Sequence, residues 1–352
     1  MTAPPRVAGL QSGPDLDAEL AFLRATLAAD GGPVECVETH LSWVLLAGRR
    51  VLKLKKRIGH GVTDFSTLAA RERNAREELR LNRRLAADVY QGLIAVDWDG
   101  ERFALRAEGA GPPRGEVVDW LVAMRRLPEH RMLHRVIASG ALKSRDVEAL
   151  VEVLVRFYRT AAPATLDASE HVARLRAELA ASRRVLELPA FALAAASGLC
   201  DGVEKAISLH EPELRARVRD GRIVDGHGDL RPEHVCLVEP PVIIDALEFD
   251  ARLRQVDPFD ELSFLGLECA VAGDAGLGPR IVERCARELG DDPPPALLSL
   301  YAASRALIRA RLSAAHLLDG QVRTPAKWLP QTERYLGQAA LATARLAAGS
   351  GG

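Results

Sequence analysis

Long apolar runs are missing from this sequence: nothing approaches the ~18 consecutive residues that a membrane-spanning helix requires, so no membrane partner is expected. Aromatic residues are scarce at 5% while hydrophobic residues reach 48%. The core must therefore be built largely from aliphatic side chains, and the Ala/Leu/Arg-rich segments point to a helix-rich globular protein. Charge of either sign is not in excess, with 47 Lys plus Arg against 48 Asp plus Glu and a net charge of −1. Without a basic field to attract a polyanion, nucleic acid is excluded as the expected partner. The 5 cysteines are scattered and show no C-x-x-C spacing. Neither a disulfide framework nor a zinc site is implied, and reduced thiols in a cytoplasmic protein are expected. The opening M-T-A-P-P-R-V-A-G-L has no apolar core of a signal peptide, in keeping with that location. No fixed-period repeat is visible, and 352 residues suffice for one large domain or two lobes.

What is present centres on residues 224–250, V-D-G-H-G-D-L-R-P-E-H-V-C-L-V-E-P-P-V-I-I-D-A-L-E-F-D. His227, Gly228 and Asp229 open a polar loop. Two apolar runs across 235–244, broken by Glu239-Pro240-Pro241, read as a β-hairpin with a proline-bearing turn. The second run ends on Asp245. An ionised carboxylate at the tip of a buried strand is costly without a partner, and a metal ion is the expected one. The hairpin folds back and brings Asp229 and Asp245 near each other. This matches phosphoryl transfer of the kinase type, where a loop aspartate in H-R-D-x-x-x-x-N takes the substrate hydroxyl proton and a later aspartate holds Mg²⁺.

Upstream, Leu16, Leu20, Leu23 and Leu27 share one helical face after Asp15, a candidate N-cap. Three short strands follow over 34–55. The third, V-L-K-L-K, puts Lys53 and Lys55 on the face opposite Leu52 and Leu54. An ammonium on the inward face of a sheet needs a partner; in the kinase reading Lys53 holds the ATP phosphates and pairs with a helix glutamate. A solvated sheet edge is the bland alternative. The helix expected over 66–87 offers Glu78, with Glu77 close behind, and periodicity does not separate them. No G-x-G-x-x-G lies between the first two strands, so Thr39 and Ser42 are nominated to contact phosphates instead. Strands at 92–97 and 102–107 complete a five-stranded antiparallel sheet. Residues 117–128 read as an apolar strand ending in a basic turn, which suits the link between two lobes, with backbone groups from Met124 to Arg126 on the adenine edge. Beyond Pro128 the chain reads as helical, apart from the catalytic stretch. Ser144 is read as a helix cap, and a break is expected over 198–202. The glutamates of the later helices, Glu261, Glu268, Glu283 and Glu288, have spacings ordinary for solvated faces.

The segments E-T-H-L-S-W-V-L-L-A-G-R-R-V-L-K-L-K-K, E-L-R-L-N-R-R-L-A-A-D-V-Y-Q-G-L and H-G-D-L-R-P-E-H-V-C-L resemble one branch of the aminoglycoside phosphotransferase-like proteins, over nearly all of residues 35–345. The resemblance implies an α+β, protein-kinase-like two-lobed fold: a flexible tail over 1–14, an N-terminal lobe over 15–123, a hinge over 124–128, a helical C-terminal lobe over 129–347 and a flexible end over 348–352. It implies an ATP-dependent phosphotransferase acting on a small-molecule hydroxyl, with Asp229 as base and Asp245 as Mg²⁺ ligand. Lys53 would position the α/β-phosphates, Glu78 would orient Lys53, and Arg231 would face the γ-phosphate. His227 would pack and hydrogen-bond the loop, and Asp257 would brace it. Many members continue into a P-loop ATPase-like domain; no G-x-x-x-x-G-K-[ST] occurs here, so that domain is expected to be absent.

Two departures stand out. His234 occupies the position of the asparagine that holds a second Mg²⁺, and imidazole suits softer metals better. Asp245-Ala246-Leu247 replaces D-F-G, leaving Glu248 or Asp250 as candidate oxygen donors. A one-metal site or a preference for Mn²⁺ is the corresponding expectation. The acceptor is open among aminoglycoside-like compounds, sugars and amino-alcohols. The competing reading is a nucleotide-binding pseudokinase or regulatory module with little transfer activity.

Overall fold

A computed structural model describes residues 14–29, 32–60, 63–318 and 324–349. The chain divides into two compact units between Leu127 and Pro128. Of the tail expected over 1–14, residues 1–13 lie outside the described residues; the Pro14 carbonyl accepts from Arg57 Nη1 at 3.1 Å.

The first unit begins with α1 (Leu16–Ala28), whose Leu20, Leu23 and Leu27 are buried. They join Leu45, Leu52, Leu54 and Leu121 in one aliphatic core, the driving term for this face of the sheet. Asp15 precedes the helix without a side-chain cap bond. The strands are β1 (Val34–Glu38), β2 (Ser42–Ala47), β3 (Arg50–Lys55), the short pair β4 (Gly59–His60) and β5 (Thr63–Asp64), then β6 (Tyr90–Trp98), β7 (Phe103–Ala107) and β8 (Glu116–Arg125). Helix α2 (Leu68–Ala86) is capped by the Thr67 side chain, which accepts from Ala70 N at 3.2 Å.

The sheet has six antiparallel strands in the order β1-β2-β3-β8-β6-β7, not five. The sixth is β8, the apolar strand expected to lead into the link, which lies within the sheet with Lys53 opposite Val122 on one side and Ile94 opposite Leu121 on the other. Its run V-V-D-W-L-V-A-M is apolar on both faces, which is what a strand paired on both edges requires. Met124 and Arg125 belong to this strand, and the boundary between the two compact units, Leu127/Pro128, falls within the expected link over 124–128.

The second unit is helical: α3 (Leu133–Ala138), α4 (Ser144–Thr160), α5 (Ala168–Leu186), α6 (Ala196–Leu209), α7 (Glu211–Arg219), then α8 (Pro258–Ala272), α9 (Leu277–Leu289), α10 (Pro295–Ala315) and α11 (Pro325–Gly349). Helix α10 packs on α11, α8 and α5. Ser144 is the first helical residue of α4 rather than its cap; the Asp146 carboxylate in the first turn accepts from Lys143 N at 3.1 Å. The break expected over 198–202 is helix interior. Gly202 allows α6 to approach α11, since a Cβ there would meet Thr343 Cγ2 at 2.8 Å. Of the flexible end expected over 348–352, residues 348 and 349 belong to α11, and 350–352 lie outside the described residues. No helix among the described residues is long and apolar enough to cross a membrane.

Between α7 and α8 the chain forms β9 (Val224–Asp225), β10 (Val235–Cys236), β11 (Val242–Ile243) and β12 (Gln255–Val256). Strands β10 and β11 make the expected hairpin, with Val235 opposite Ile243. Strand β9 pairs with β12, which anchors the chain entering the polar loop to the chain leaving it.

Candidate active site

In the second unit the loop at 227–234 is held from beneath. Glu261, on the first turn of α8, is 1% exposed. Its carboxylate accepts from His227 N at 3.0 and 3.1 Å, from Gly228 N at 2.5 Å and from the Tyr158 hydroxyl at 2.8 Å. Burial pushes this carboxyl up, while those donors oppose the shift by favouring the anion. Gly228 has φ +88°, and a Cβ there would lie 2.9 Å from Leu247 Cδ1. The loop therefore needs glycine at this position for both backbone and space.

His227 is fully buried. Its Nε2 lies 2.9 Å from the Ile244 carbonyl and its Nδ1 accepts from Asp229 N at 3.3 Å, which fixes the Nε2–H tautomer. Desolvation, reinforced by His234, lowers its pKa from 6.5 to about 4. A proton taken up below pH 6.5 thus binds the unfolded chain more tightly than the folded one. His227 stabilises the fold fully above that value, and the contribution is lost as pH falls through about 4. From a shift of this size the loss is roughly 3 kcal/mol. Unfolding midpoints in urea between pH 7 and 4 should show it. A His227→Gln variant, which keeps an N–H donor, should lose most of that slope.

His234 stands between the two acids. Its Nδ1 is 2.8 Å from the Asp229 carbonyl oxygen and 3.7 Å from Asp229 Oδ2, and its Nε2 is 3.6 Å from Asp245 Oδ2. Both carboxylates thus lie within 4 Å of one imidazole, as the hairpin geometry requires. Arg231 completes the group, donating from Nε to Asp229 Oδ2 at 3.0 Å and lying 3.1 Å from His234 Nε2 through Nη2. Asp245 takes φ +64°. A left-handed backbone is uncommon for a non-glycine residue and marks positions where local strain is tolerated for a purpose.

The donor set bears on the metal. With its hydrogen on Nδ1 toward the Asp229 carbonyl, His234 presents the Nε2 lone pair toward Arg231 and Asp245. One carboxylate and one imidazole suit a single ion of intermediate softness better than a pair of Mg²⁺ ions. Asp250, a candidate extra donor, accepts from Arg252 N at 2.9 Å and from the Arg252 guanidinium at 2.8 Å, so its oxygens are committed. Among the described residues no group of three or more His, Cys, Asp or Glu side chains is arranged to hold a metal.

Asp257 caps α8, accepting from Phe259 N at 2.9 Å, and binds Arg217 at 2.6 and 2.9 Å and the Tyr301 hydroxyl at 3.0 Å. It ties α7 and α10 to α8. The side chain that grips the loop at 227–234 is Glu261, four residues on.

In the first unit, Glu78 is fully buried and its carboxylate meets two ammonium groups, Lys53 at 2.8 Å and Lys55 at 2.5 Å. Lys55 is 1% exposed, which removes the solvated-edge alternative. Glu77 pairs instead with Arg80 on the exposed side of α2, at 2.7 Å. Four residues nominated for nucleotide contacts have groups that are enclosed or engaged elsewhere. Ser42 is buried as the first residue of β2, and its Oγ is enclosed, while Thr39 is spent bridging its own turn with bonds of 2.9 Å to Ser42. Met124 is flanked by Val51 and Tyr90, and Arg126 N is used by the Arg49 carbonyl at 2.8 Å. The edge pairing of β8 thus extends past the last residue of the strand.

Sequence comparison finds no matching family model. An uncharacterized protein of Mycobacterium tuberculosis is 30% identical over 299 residues, which cover 82% of this chain and 56% of that one. The chain therefore spans little more than half the length of the curated relatives it matches. Among solved structures, a choline/ethanolamine kinase family protein from Mesorhizobium loti aligns over 92% of this chain and 94% of its own, at 18% identity and a TM-score of 0.52. A thermostable mutant of an aminoglycoside phosphotransferase aligns over 93% and 99%, at 11% identity and a TM-score of 0.51. The chain has the protein-kinase-like fold.

Within a protein-kinase-like chain, three buried groups carry weight that the sequence reading did not give them. Lys55 was weighed only as second to Lys53. Spacing alone suits Glu261 and Glu268 to solvated faces, yet they are 1% and 4% exposed. A signal was available: both sit in F-D-E-L-S-F-L-G-L-E-C, a helix apolar nearly all round, and such a helix is buried on every side.

Proposed function

We propose that this protein is a phosphotransferase that moves the γ-phosphoryl group of ATP to a hydroxyl of a small molecule. The observation that carries this reading is the convergence of Asp229, Arg231 and Asp245 on His234, on a loop locked by Glu261. Asp229, 26% exposed beside Arg231, takes the proton of the acceptor hydroxyl as its oxygen becomes bonded to phosphorus and ADP departs. Arg231, a planar guanidinium, holds Asp229 in place and suits phosphate oxygens. Lys53, held by Glu78, would bind the nucleotide phosphates; Lys55 shares that carboxylate. Asp245, with His234 beside it, would hold a divalent ion, which neutralises phosphate charge when bound. Incubation with labelled ATP and a panel of hydroxyl compounds tests the reading: label should pass to at least one acceptor, and only with Asp229 intact. Nucleotide binding without transfer to any acceptor would favour the pseudokinase reading instead.

His234 gives a further expected outcome. The His234→Asn variant replaces imidazole with an amide oxygen donor, so its activity should shift toward Mg²⁺ relative to Mn²⁺. Metal titrations of both proteins measure this; an unchanged preference would show that the imidazole does not face the ion.

A further inference from the structure

Arg231 holds two of the groups that phosphoryl transfer at this site would use. Its Nε and Nη2 both lie 3.0 Å from Asp229 Oδ2, and Nη2 lies 3.1 Å from His234 Nε2. On the reading of the site as a phosphotransferase, we propose that Arg231 is a gate on the metal site. Its guanidinium and a divalent ion compete for the Nε2 lone pair of His234, so an ion gains the imidazole as a ligand only when Arg231 moves aside.

Hydrogen-bond chemistry leaves one assignment for the ring. The Asp229 carbonyl, 2.8 Å from His234 Nδ1, can only accept, so the imidazole hydrogen is on Nδ1. A guanidinium can only donate, so Nε2 accepts from Nη2. That nitrogen has one lone pair in the ring plane, and a metal bond uses the same pair. The ring is 7% exposed, and turning it over would place a C–H against the Asp229 carbonyl. The imidazole is therefore fixed, and whichever partner yields must be Arg231.

Arg231 has room to yield. Its side chain is 22% exposed and lines a cavity of about 580 Å³ in the second unit, whose wall also includes Glu233 and Glu268. Phosphate oxygens offer the same planar fork a second set of acceptors. Charge acts in the same direction as the lone pair. A guanidinium at His234 repels a cation near Asp245, whose Oδ2 is 3.6 Å from Nε2. Linkage makes the competition reciprocal: the affinity an ion loses to Arg231 is the hold on His234 that Arg231 loses to the ion. The loop need not move for this exchange, since Glu261 grips it through the backbone of His227 and Gly228.

Mn²⁺ titration without nucleotide, followed by loss of the free-ion paramagnetic resonance signal, tests the competition in the full-length protein. Arg231→Met should bind Mn²⁺ about tenfold or more tighter than wild type, the scale of a hydrogen bond made by a charged donor. Arg231→Ala should do the same, so a fold defect in one variant does not decide the result. Removing a positive charge would tighten metal binding by itself, and a double-mutant cycle separates that effect. In a His234→Ala background no lone pair is left to contest, and most of the gain should disappear. Spin-echo spectra of Mn²⁺ bound to Arg231→Met should also show coupling to a histidine nitrogen that the double variant lacks. No gain in affinity, a gain undiminished by His234→Ala, or the absence of that nitrogen coupling would overturn the proposal. The measurement involves no acceptor, so it stands apart from transfer. The expected gain in a protein that phosphorylates nothing would preserve the gate and defeat the phosphotransferase reading; transfer with equal gains in both backgrounds would do the reverse.

Discussion

Asp229→Asn is expected to lower the turnover number for phosphoryl transfer by about 10²–10⁴-fold, the range associated with a positioned general base. Asparagine keeps the size of the side chain and an oxygen for Arg231, whose Nε lies 3.0 Å from Asp229 Oδ2. It cannot take up a proton. Nucleotide affinity should therefore change little, and the Michaelis constant for the acceptor should move far less than turnover does. The two quantities separate a lost base from a collapsed loop, because collapse would lower turnover and raise the Michaelis constant together. The loop has independent supports in the Glu261 bonds to His227 and Gly228, which the substitution does not touch. A variant retaining a tenth or more of the wild-type turnover would show that Asp229 is not the base.

Glu78→Gln carries the second large effect, and it is first an effect on stability. The carboxylate is buried between two ammonium groups at 2.8 and 2.5 Å, one of them on a lysine that is 1% exposed. Removing its charge leaves two buried or half-buried cations facing each other. Breaking a buried ion pair on one side costs roughly 3–5 kcal/mol, because the remaining charge keeps its desolvation penalty. Urea unfolding followed by far-UV circular dichroism should show the lower midpoint, and equilibrium titration should show weakened ATP binding in whatever fraction stays folded. Glu77→Gln is the internal control. Its pair with Arg80 lies on the wet side of α2, where such pairs contribute about 0.5 kcal/mol or less. Equal losses at the two positions would contradict the assignment of Glu78.

The difference between these neighbours shows where sequence reading stops. A lysine on an inward strand face demands a partner on desolvation grounds, and that demand was legible in V-L-K-L-K. Which of two adjacent glutamates turns inward depends on the roll of α2 against β8 and β6, a tertiary quantity that helical periodicity leaves free. The catalytic stretch was legible for a different reason. Its elements are close in sequence, so a hairpin and a short loop suffice to bring Asp229 and Asp245 to one imidazole. Glu261 belongs to the same site but arrives from a helix 34 residues after His227, and nothing local announces which backbone N–H groups it will satisfy. That the run at 117–125 is an apolar strand leading into a link was legible; that it pairs with both β3 and β6 was not, because strand partners are a tertiary quantity. For Ser42, Met124 and Arg126 the same limit applies, since sequence does not tell which of their groups are enclosed or taken up in sheet pairing.

The glutamates of α8 carry the same lesson in charge. Counting acids by spacing made Glu268 a surface residue, whereas its burial against Arg309 and Tyr335 makes it part of a pocket wall with little negative charge left to offer.

Mass-spectrometric detection of a phosphorylated acceptor, alongside the ADP formed, tests the central claim most directly. The account predicts one ADP for each acceptor phosphorylated by the wild-type protein, and loss of both products in Asp229→Asn. Formation of ADP with no phosphorylated acceptor across anionic, neutral and amine-bearing hydroxyl compounds, or equal product from the Asp229→Asn variant, would contradict it.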